Sequence, residues 1–284
     1  MQALVAELAQ AMSPLGAEAR AAARALVCDV FGLTPTALAL AYDRRVTQAE
    51  ADNLLSMARR VAAGEPLQYV TGVCPFAGLE LKVGPGALIP RPETEGLLDL
   101  ATQWADGRRG LKALDVGTGS GCIALALAST LSEPNVLAID ASDDALAIAQ
   151  ANAARLSLPV TLRKVDILSL AAEALATTDG PFDLVVSNPP YVRDSERATM
   201  APNVLDHEPA LALFVPDSDP LLFYRRIGHL CAGGLLRQGG ALLFEINEAL
   251  GAEMADLLRG QGFAKVQILP DFTGRDRFAT AIRP

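Results

Sequence analysis

Two kinds of hydrophobic periodicity divide this chain of 284 residues. Within residues 1–66 apolar side chains recur every three or four positions in Ala3 to Met12, Ala17 to Phe31 and Thr47 to Ala63, the spacing that lines one face of an α-helix. Thr47 with Glu50 makes a capping box, and Gly64-Glu65-Pro66 ends that helix. Residues 1–66 are therefore read as a small helical bundle, which serves either to recognise a substrate or merely to stabilise the rest of the chain. Across residues 67–88 apolar residues alternate between Gly72, Gly78, Gly84, Pro85 and Gly86, a pattern that predicts a β-hairpin linker. The segment Ile89-Pro90-Arg91-Pro92-Glu93-Thr94-Glu95 then opens a helix, with Pro92 near its first turn. Arg91 and Glu93 suit a site-facing role and a helix-start role equally.

Residues 89–284 read as a separate domain in which short apolar runs alternate with helical patterns. The runs are Leu111 to Val116, Val136 to Ile139, Val160 to Val165, Leu184 to Val186, Ala241 to Ile246, Val266 to Leu269 and Phe278 to Ile282. Such alternation predicts an α/β fold, a doubly wound sheet with helices on both faces. No helix separates the last two runs, so they are expected to form an antiparallel hairpin. Ligands of doubly wound sheets bind beyond the carboxyl ends of the strands. That rule sets Gly117, Asp140, Asp166 and Asn188 along one rim.

The loop after the first run is Gly117-Thr118-Gly119-Ser120-Gly121, with a helical pattern from Ile123 to Leu131 behind it. Strand, glycine loop and helix start form a nucleotide-binding arrangement, because glycines admit close approach and the helix start offers unpaired N–H groups. Asp115-x-Gly117-x-Gly119-x-Gly121 spaces its glycines two apart, unlike the dinucleotide fingerprint G-x-G-x-x-G. Asp115 would repel a pyrophosphate and suits a cationic ligand such as S-adenosylmethionine, with its ammonium and sulfonium. Asp140 can accept both ribose hydroxyls of an adenosine, as an NAD site would also require. Asp166 can accept from an adenine amino group. Each of these acids serves equally well as a helix cap or a solvated loop residue.

The run from Phe182 to Val186 ends in Ser187 and then Asn188-Pro189-Pro190-Tyr191. Two prolines fix φ and remove N–H groups, so the backbone is stiff and its carbonyls stay free to accept. The Asn188 side-chain oxygen and the Pro189 carbonyl can each take one hydrogen of a planar NH2 group, with Tyr191 expected as a flat apolar wall. A rigid turn without chemistry is the alternative for any Asn-Pro pair.

Composition narrows the class. Hydrophobic residues make up 51% and charged residues 20%, enough for a sizeable core. No apolar stretch reaches the length of a membrane span, and no targeting segment is evident, so the cytoplasm is the default compartment. Cys28, Cys74, Cys122 and Cys231 stand singly and only His207 and His229 occur, so neither a metal site nor a Ser-His-Asp triad is expected. A net charge of -9 argues against a nonspecific grip on duplex DNA and suits a basic protein partner.

Taken together, Gly64 to Tyr69, Ile89 to Glu95, Asp115 to Gly121, Ser187 to Tyr191, His207-Glu208-Pro209 and Gly274 to Arg277 resemble the HemK/PrmC protein-(glutamine-N5) methyltransferases. The resemblance spans nearly the whole chain. It implies a helical N-terminal domain, a hairpin linker and a seven-stranded Rossmann-like class I methyltransferase domain. It further implies methyl transfer from S-adenosylmethionine, leaving S-adenosylhomocysteine, to the glutamine of the Gly-Gly-Gln motif in class I peptide chain release factors, which modulates translation termination. Cofactor contacts would fall on Asp115, Gly117, Thr118, Gly119, Ser120, Gly121, Asp140, Asp166, Ile167 and Asn188, and catalysis on Asn188, Pro189, Pro190 and Tyr191, in a monomer with no stable nucleic-acid or membrane partner. Ile167 stands where some relatives carry a large aromatic, and Asn247 replaces a usual glycine. Two rivals remain: a methylase of exocyclic nucleobase amines, which present the same NH2 geometry, and an NAD-binding or noncatalytic Rossmann protein.

Overall fold

A computed structural model describes all 284 residues. They divide into two compact units, one built from residues 1–73, 83–85 and 201–207 and the other from the rest.

The first unit is helical. Its helices are α1 (Gln2–Ala11), α2 (Ala19–Phe31), α3 (Pro35–Leu40), α4 (Gln48–Ala62) and α5 (Leu67–Thr71). Leu8, Met12, Leu26, Leu38 and Leu54, one face of each amphipathic pattern, are wholly buried together. The α4 capping box forms as expected: the Glu50 N–H donates to Thr47 Oγ1 at 3.3 Å and the Thr47 N–H to Glu50 Oε2 at 2.8 Å. The alternation read as a hairpin from residue 67 is overruled at its start. Leu67 and Val70, one helical turn apart, pack into the helical core, and α5 forms there instead. The hairpin itself is short, β1 (Val73–Phe76) and β2 (Leu79–Lys82), and apart from Val73 it belongs to the second unit. It turns at Ala77 and Gly78, both with positive φ, which matches the twist of its strands.

The second unit is a seven-stranded sheet. In chain order its elements are α6 (Glu95–Ala105), β3 (Lys112–Val116), α7 (Cys122–Thr130), β4 (Asn135–Asp140), α8 (Asp143–Leu156), β5 (Val160–Lys164), α9 (Leu175–Thr178) and β6 (Phe182–Ser187). The short pair β7 (Val192–Arg193) and β8 (Phe214–Val215) brackets α10 (Pro202–His207), which belongs to the first unit. Next come α11 (Leu222–Leu230), β9 (Leu236–Glu245), α12 (Gly251–Gly260), β10 (Ala264–Pro270) and β11 (Asp276–Ile282). The sheet order is β10-β11-β9-β6-β3-β4-β5, and β11 alone runs opposite to the other six strands.

Burial on both faces explains the nearly continuous apolar runs of the central strands. Leu114, Val116, Val185 and Phe244 pack on one side, and Ala113, Leu184, Val186 and Leu243 on the other. From β3 the chain winds outward first through β4 and β5, then returns to β6 on the opposite side. The loops after β3 and β6 therefore diverge at a topological switch point, where such sheets open a crevice.

Candidate active site

At that switch point lies a cleft with about 1260 Å³ of empty space, the solvent at its mouth included. Its walls carry Gly117 to Ser120, Asp140, Asp166, Ile167 and Asn188 to Pro190. Thus most of the rim residues named by the sequence come together. Asp115, Gly121 and Tyr191 do not line the cleft.

Asp115 sits beneath the glycine loop, wholly buried. Its Oδ2 accepts from the Thr118 hydroxyl at 2.7 Å and from the Ala124 N–H, in the first turn of α7, at 3.1 Å. Its Oδ1 has no partner within the protein. Burial pushes the carboxyl up to about 7, against the pull of those two hydrogen bonds. The loop above is stapled to β4, since the Gly117 and Thr118 N–H groups both donate to the Ile139 carbonyl at 2.9 and 3.0 Å. Gly117 and Gly119 hold φ of 75° and 56°, and no atom lies within 4 Å of where a Cβ would project. They leave an open cradle. Gly121 is needed for a different reason, because a Cβ there would press on Leu125 and Ala149 at 3.1 and 3.2 Å.

Asp140, at the end of β4, accepts one backbone N–H on each oxygen: Gly119 on Oδ2 and Ser142 on Oδ1, both at 2.9 Å. Each oxygen keeps capacity for a further hydrogen. Asp166 is exposed and accepts the Leu168 N–H at 2.9 Å, while its neighbour Ile167 is buried against the core. Ile167 thus presents an aliphatic wall to the cleft.

Asn188 follows β6, whose end is tied to β3 by the Ser187 hydroxyl donating to the Val116 carbonyl at 2.6 Å. The Asn188 Nδ2 donates to the Thr94 hydroxyl at 3.2 Å. Tyr191 departs from the expected apolar wall: its ring packs against the core, and its hydroxyl donates to Glu245 Oε1 at 3.0 Å. The two prolines carry the chain past the cleft before Tyr191 is reached. Asn247 donates to the Tyr191 carbonyl at 3.2 Å and accepts the Ala249 N–H at 3.0 Å, so it braces this loop.

Several residues here had no site role in the sequence reading, or, like Arg91, one of two open roles. Asn152 on α8 is fully buried; it exchanges hydrogen bonds with the Lys82 backbone at 2.6 and 2.9 Å and donates to the Ser120 carbonyl at 2.9 Å. Buried Glu208 accepts from the Ile89 N–H at 3.1 Å and from Arg91 at 2.5 Å, pinning two segments of the rim. Arg91 is the one cationic side chain in the lining. Buried Thr94 and Glu245 complete the set. The available signal was the string Ile89 to Glu95 and the acid that closes β9, but nothing in the chain pairs residues so far apart.

A nucleotide-type cradle, a ribose-competent acid and a rigid Asn-Pro-Pro loop at one switch point define a class I methyltransferase, and comparison with known proteins agrees. Residues 2–72 match the PrmC N-terminal domain, and residues 97–210 match the methyltransferase small domain. Among solved structures, the hMettl16 catalytic domain in complex with MAT2A 3'UTR hairpin 6 superposes with a TM-score of 0.57 at 20% identity, over 83% of this chain and 82% of that one. The Thermus thermophilus 16S rRNA N2 G1207 methyltransferase, in complex with AdoMet and guanosine, does so with a TM-score of 0.51 at 20% identity, over 75% of this chain and 50% of that one. These two share the fold.

Sequence relatives are closer. A release factor glutamine methyltransferase of Bacteroides thetaiotaomicron is 42% identical over 94% of this chain and 93% of its own. Those of Chlorobaculum tepidum and Flavobacterium psychrophilum are 40% and 45% identical, over 92% and 75% of this chain and 89% and 74% of theirs. The chain belongs to the release factor glutamine methyltransferase family.

Proposed function

We propose that this chain transfers a methyl group from S-adenosylmethionine to the side-chain amide nitrogen of the Gly-Gly-Gln glutamine in class I release factors. One observation carries the reading: Asn188 and Pro189 line the same cleft as the open cradle at Gly117 and Gly119. The residues present fit the cofactor. The unpartnered Asp115 Oδ1, beneath the loop, favours a cation nearby, and Asp140 has two oxygens with room for a ribose diol. Asp166 and the Ile167 side chain are assigned to the adenine. When bound, S-adenosylmethionine supplies an electrophilic methyl on a positively charged sulfur.

The chain's own work is positioning. An amide nitrogen is a poor nucleophile because its lone pair is delocalised into the carbonyl. Acceptors at the Asn188 side-chain oxygen and the Pro189 carbonyl hold both N–H bonds and favour a pyramidal nitrogen aligned with the methyl group. Pro189 and Pro190 keep those acceptors rigid and unpaired. The proton becomes acidic only as the new C–N bond forms, and it leaves to water. The substrate is assigned as a release factor because the family and the match to the PrmC N-terminal domain both point there. The net charge of -9 suits a basic protein surface better than nucleic acid. No helix is long and apolar enough to cross a membrane. A monomer acting in the cytoplasm, where release factors work, fits this reading.

The test is transfer of labelled methyl to a release factor and to its Gly-Gly-Gln glutamine→alanine variant, beside adenine- and cytosine-containing DNA and RNA. Label on the native factor alone is expected. Label on nucleic acid and not on the factor would replace the substrate while leaving the amine chemistry.

A further inference from the structure

Beneath Asn188 a chain of three buried or half-buried polar groups runs away from the cleft. Glu245, at the end of β9 and 1% exposed, receives two hydroxyls: Thr94 on Oε2 at 2.7 Å and Tyr191 on Oε1 at 3.0 Å. Thr94, 3% exposed, receives Asn188 Nδ2 at 3.2 Å. The Glu245 backbone carbonyl is itself fixed by the buried Tyr224 hydroxyl at 2.9 Å. Thr94 comes from the turn before α6 and Asn188 from the loop after β6, so three separate segments meet here.

The direction of these bonds follows from counting hydrogens. A hydroxyl has one, and a carboxylate can only accept once ionised; burial raises the Glu245 carboxyl, but the two hydroxyls aimed at it and the charge of Arg277 favour the ionised, accepting form. The Thr94 hydrogen is therefore committed to Glu245, and its oxygen offers Asn188 a lone pair and nothing else. Only the NH2 end of the Asn188 amide can occupy that position. The oxygen end is turned away from Thr94 and is left free to accept. We propose that Thr94 and Glu245 are positioning residues: they set the polarity of the Asn188 side chain, so that it meets the substrate NH2 as an acceptor. The proposal deepens the assigned methyl transfer and rests on that reading for its kinetic consequence, but not for the orientation itself.

Without the Thr94 hydroxyl the amide has no reason to prefer one orientation, and in the reversed one an NH2 group confronts the substrate NH2. Thr94→Val, equal in size, and Thr94→Ala should each lower kcat roughly 10- to 100-fold, the scale of a misplaced catalytic contact. The KM for a release factor and the affinity for S-adenosylhomocysteine should stay within threefold. Thr94→Ser keeps the hydroxyl and should restore kcat to within threefold of the native protein. A second readout is independent of substrate: in 15N-labelled protein the Asn188 side-chain NH2 should show a nuclear Overhauser contact with the Thr94 methyl and slow solvent exchange. That protection should persist in Thr94→Ser and vanish in folded Thr94→Ala. Near-native kcat in Thr94→Val or Thr94→Ala would overturn the proposal, as would a Thr94→Ser as impaired as they are. An unprotected Asn188 NH2 in the native protein would overturn it even if the release factor proved not to be the substrate.

Discussion

Replacing Asp140 by asparagine isolates one hydrogen bond of the proposed cofactor site, because the carboxylate has a countable set of partners. In the free protein each oxygen accepts one loop N–H, from Gly119 and from Ser142, and retains one further acceptor position. A ribose diol would fill both. The amide keeps one oxygen; its NH2 end faces either the Gly119 or the Ser142 N–H and can accept from neither a loop group nor a ribose hydroxyl. The clash with the loop N–H is present with and without ligand, so it cancels from the affinity and appears instead as lower thermal stability. What remains is one lost bond to a charged acceptor, worth about 1.5 to 3 kcal/mol. At about 1.4 kcal/mol per decade, Asp140→Asn should bind S-adenosylhomocysteine roughly 10- to 150-fold more weakly. Titration calorimetry measures this directly, with cooperative thermal unfolding as the check on folding. Asp166→Asn is the internal control: Asp166 is exposed, its acceptor competes with water, and the loss should be smaller than for Asp140. An Asp140→Asn variant that folds cooperatively and binds within twofold of native would remove Asp140 from the site and with it the ribose assignment.

Asn188→Ala should leave S-adenosylhomocysteine affinity within a few-fold of native but cut kcat on the order of a hundredfold or more, measured by labelled methyl transfer; near-normal turnover would make the loop structural. Asn152→Ala leaves the Lys82 backbone and the Ser120 carbonyl without their buried partner and should cost about 2 to 4 kcal/mol in urea denaturation, with weaker cofactor binding through the loosened loop. Burial raises the folded-state pKa of Asp115 from 3.8 to about 7, so between those limits the folded chain holds a proton that the unfolded chain has released. This group's contribution to stability is full below about pH 4 and is lost as pH rises through 7. Unfolding free energies from pH 4.5 to 7.5 should therefore fall less steeply in Asp115→Asn than in the native protein, and equal slopes would refute the raised pKa.

The sheet and its rim were legible because central strands buried on both faces leave an unmistakable trace. Leu111 to Val116 and Phe182 to Val186 are apolar runs bounded at once by glycine or Asn-Pro chemistry, and those boundaries are the carboxyl ends that face the cleft. Asp140 was legible for the same reason, being the polar residue that closes a buried strand. Asp115 was legible as chemistry but not as place. It lies within β3 between Leu114 and Val116, on the face opposite theirs, and its carboxylate therefore tucks under the loop rather than into the cleft. Tyr191 was misplaced because two prolines fix φ without revealing which way the next side chain turns. Residues 67–71 were misjudged because a run of five residues carries either period; the apolar surface of α2 and α4, invisible in local sequence, selected the helix. Thr94 and Glu245 stand 151 positions apart, and only the fold makes them neighbours.

The misplaced and missed residues share a physical character. The cleft itself offers little acid–base chemistry: its ionisable walls are Asp140, Asp166, Arg91 and Cys122, the last held as a thiol by burial that pushes it up to about 12, and neither histidine lines it. In the proposed reaction neutral groups whose value lies in direction stand at the reacting end, namely the Asn188 amide and the Pro189 carbonyl. A dipole is useful only if it cannot turn, and turning is resisted here by residues behind the cleft wall: Glu245 behind the lining Thr94 for Asn188, Asp115 behind the lining Thr118 for the glycine loop, Asn247 for the Tyr191 carbonyl. Each of these anchors is buried, so each hydrogen bond is costly to break and its geometry is kept. A short sequence motif marks the dipoles because they are local to one loop. The anchors come from two strands and one helix start, which is why the residues that would orient the proposed reaction are spread across the chain.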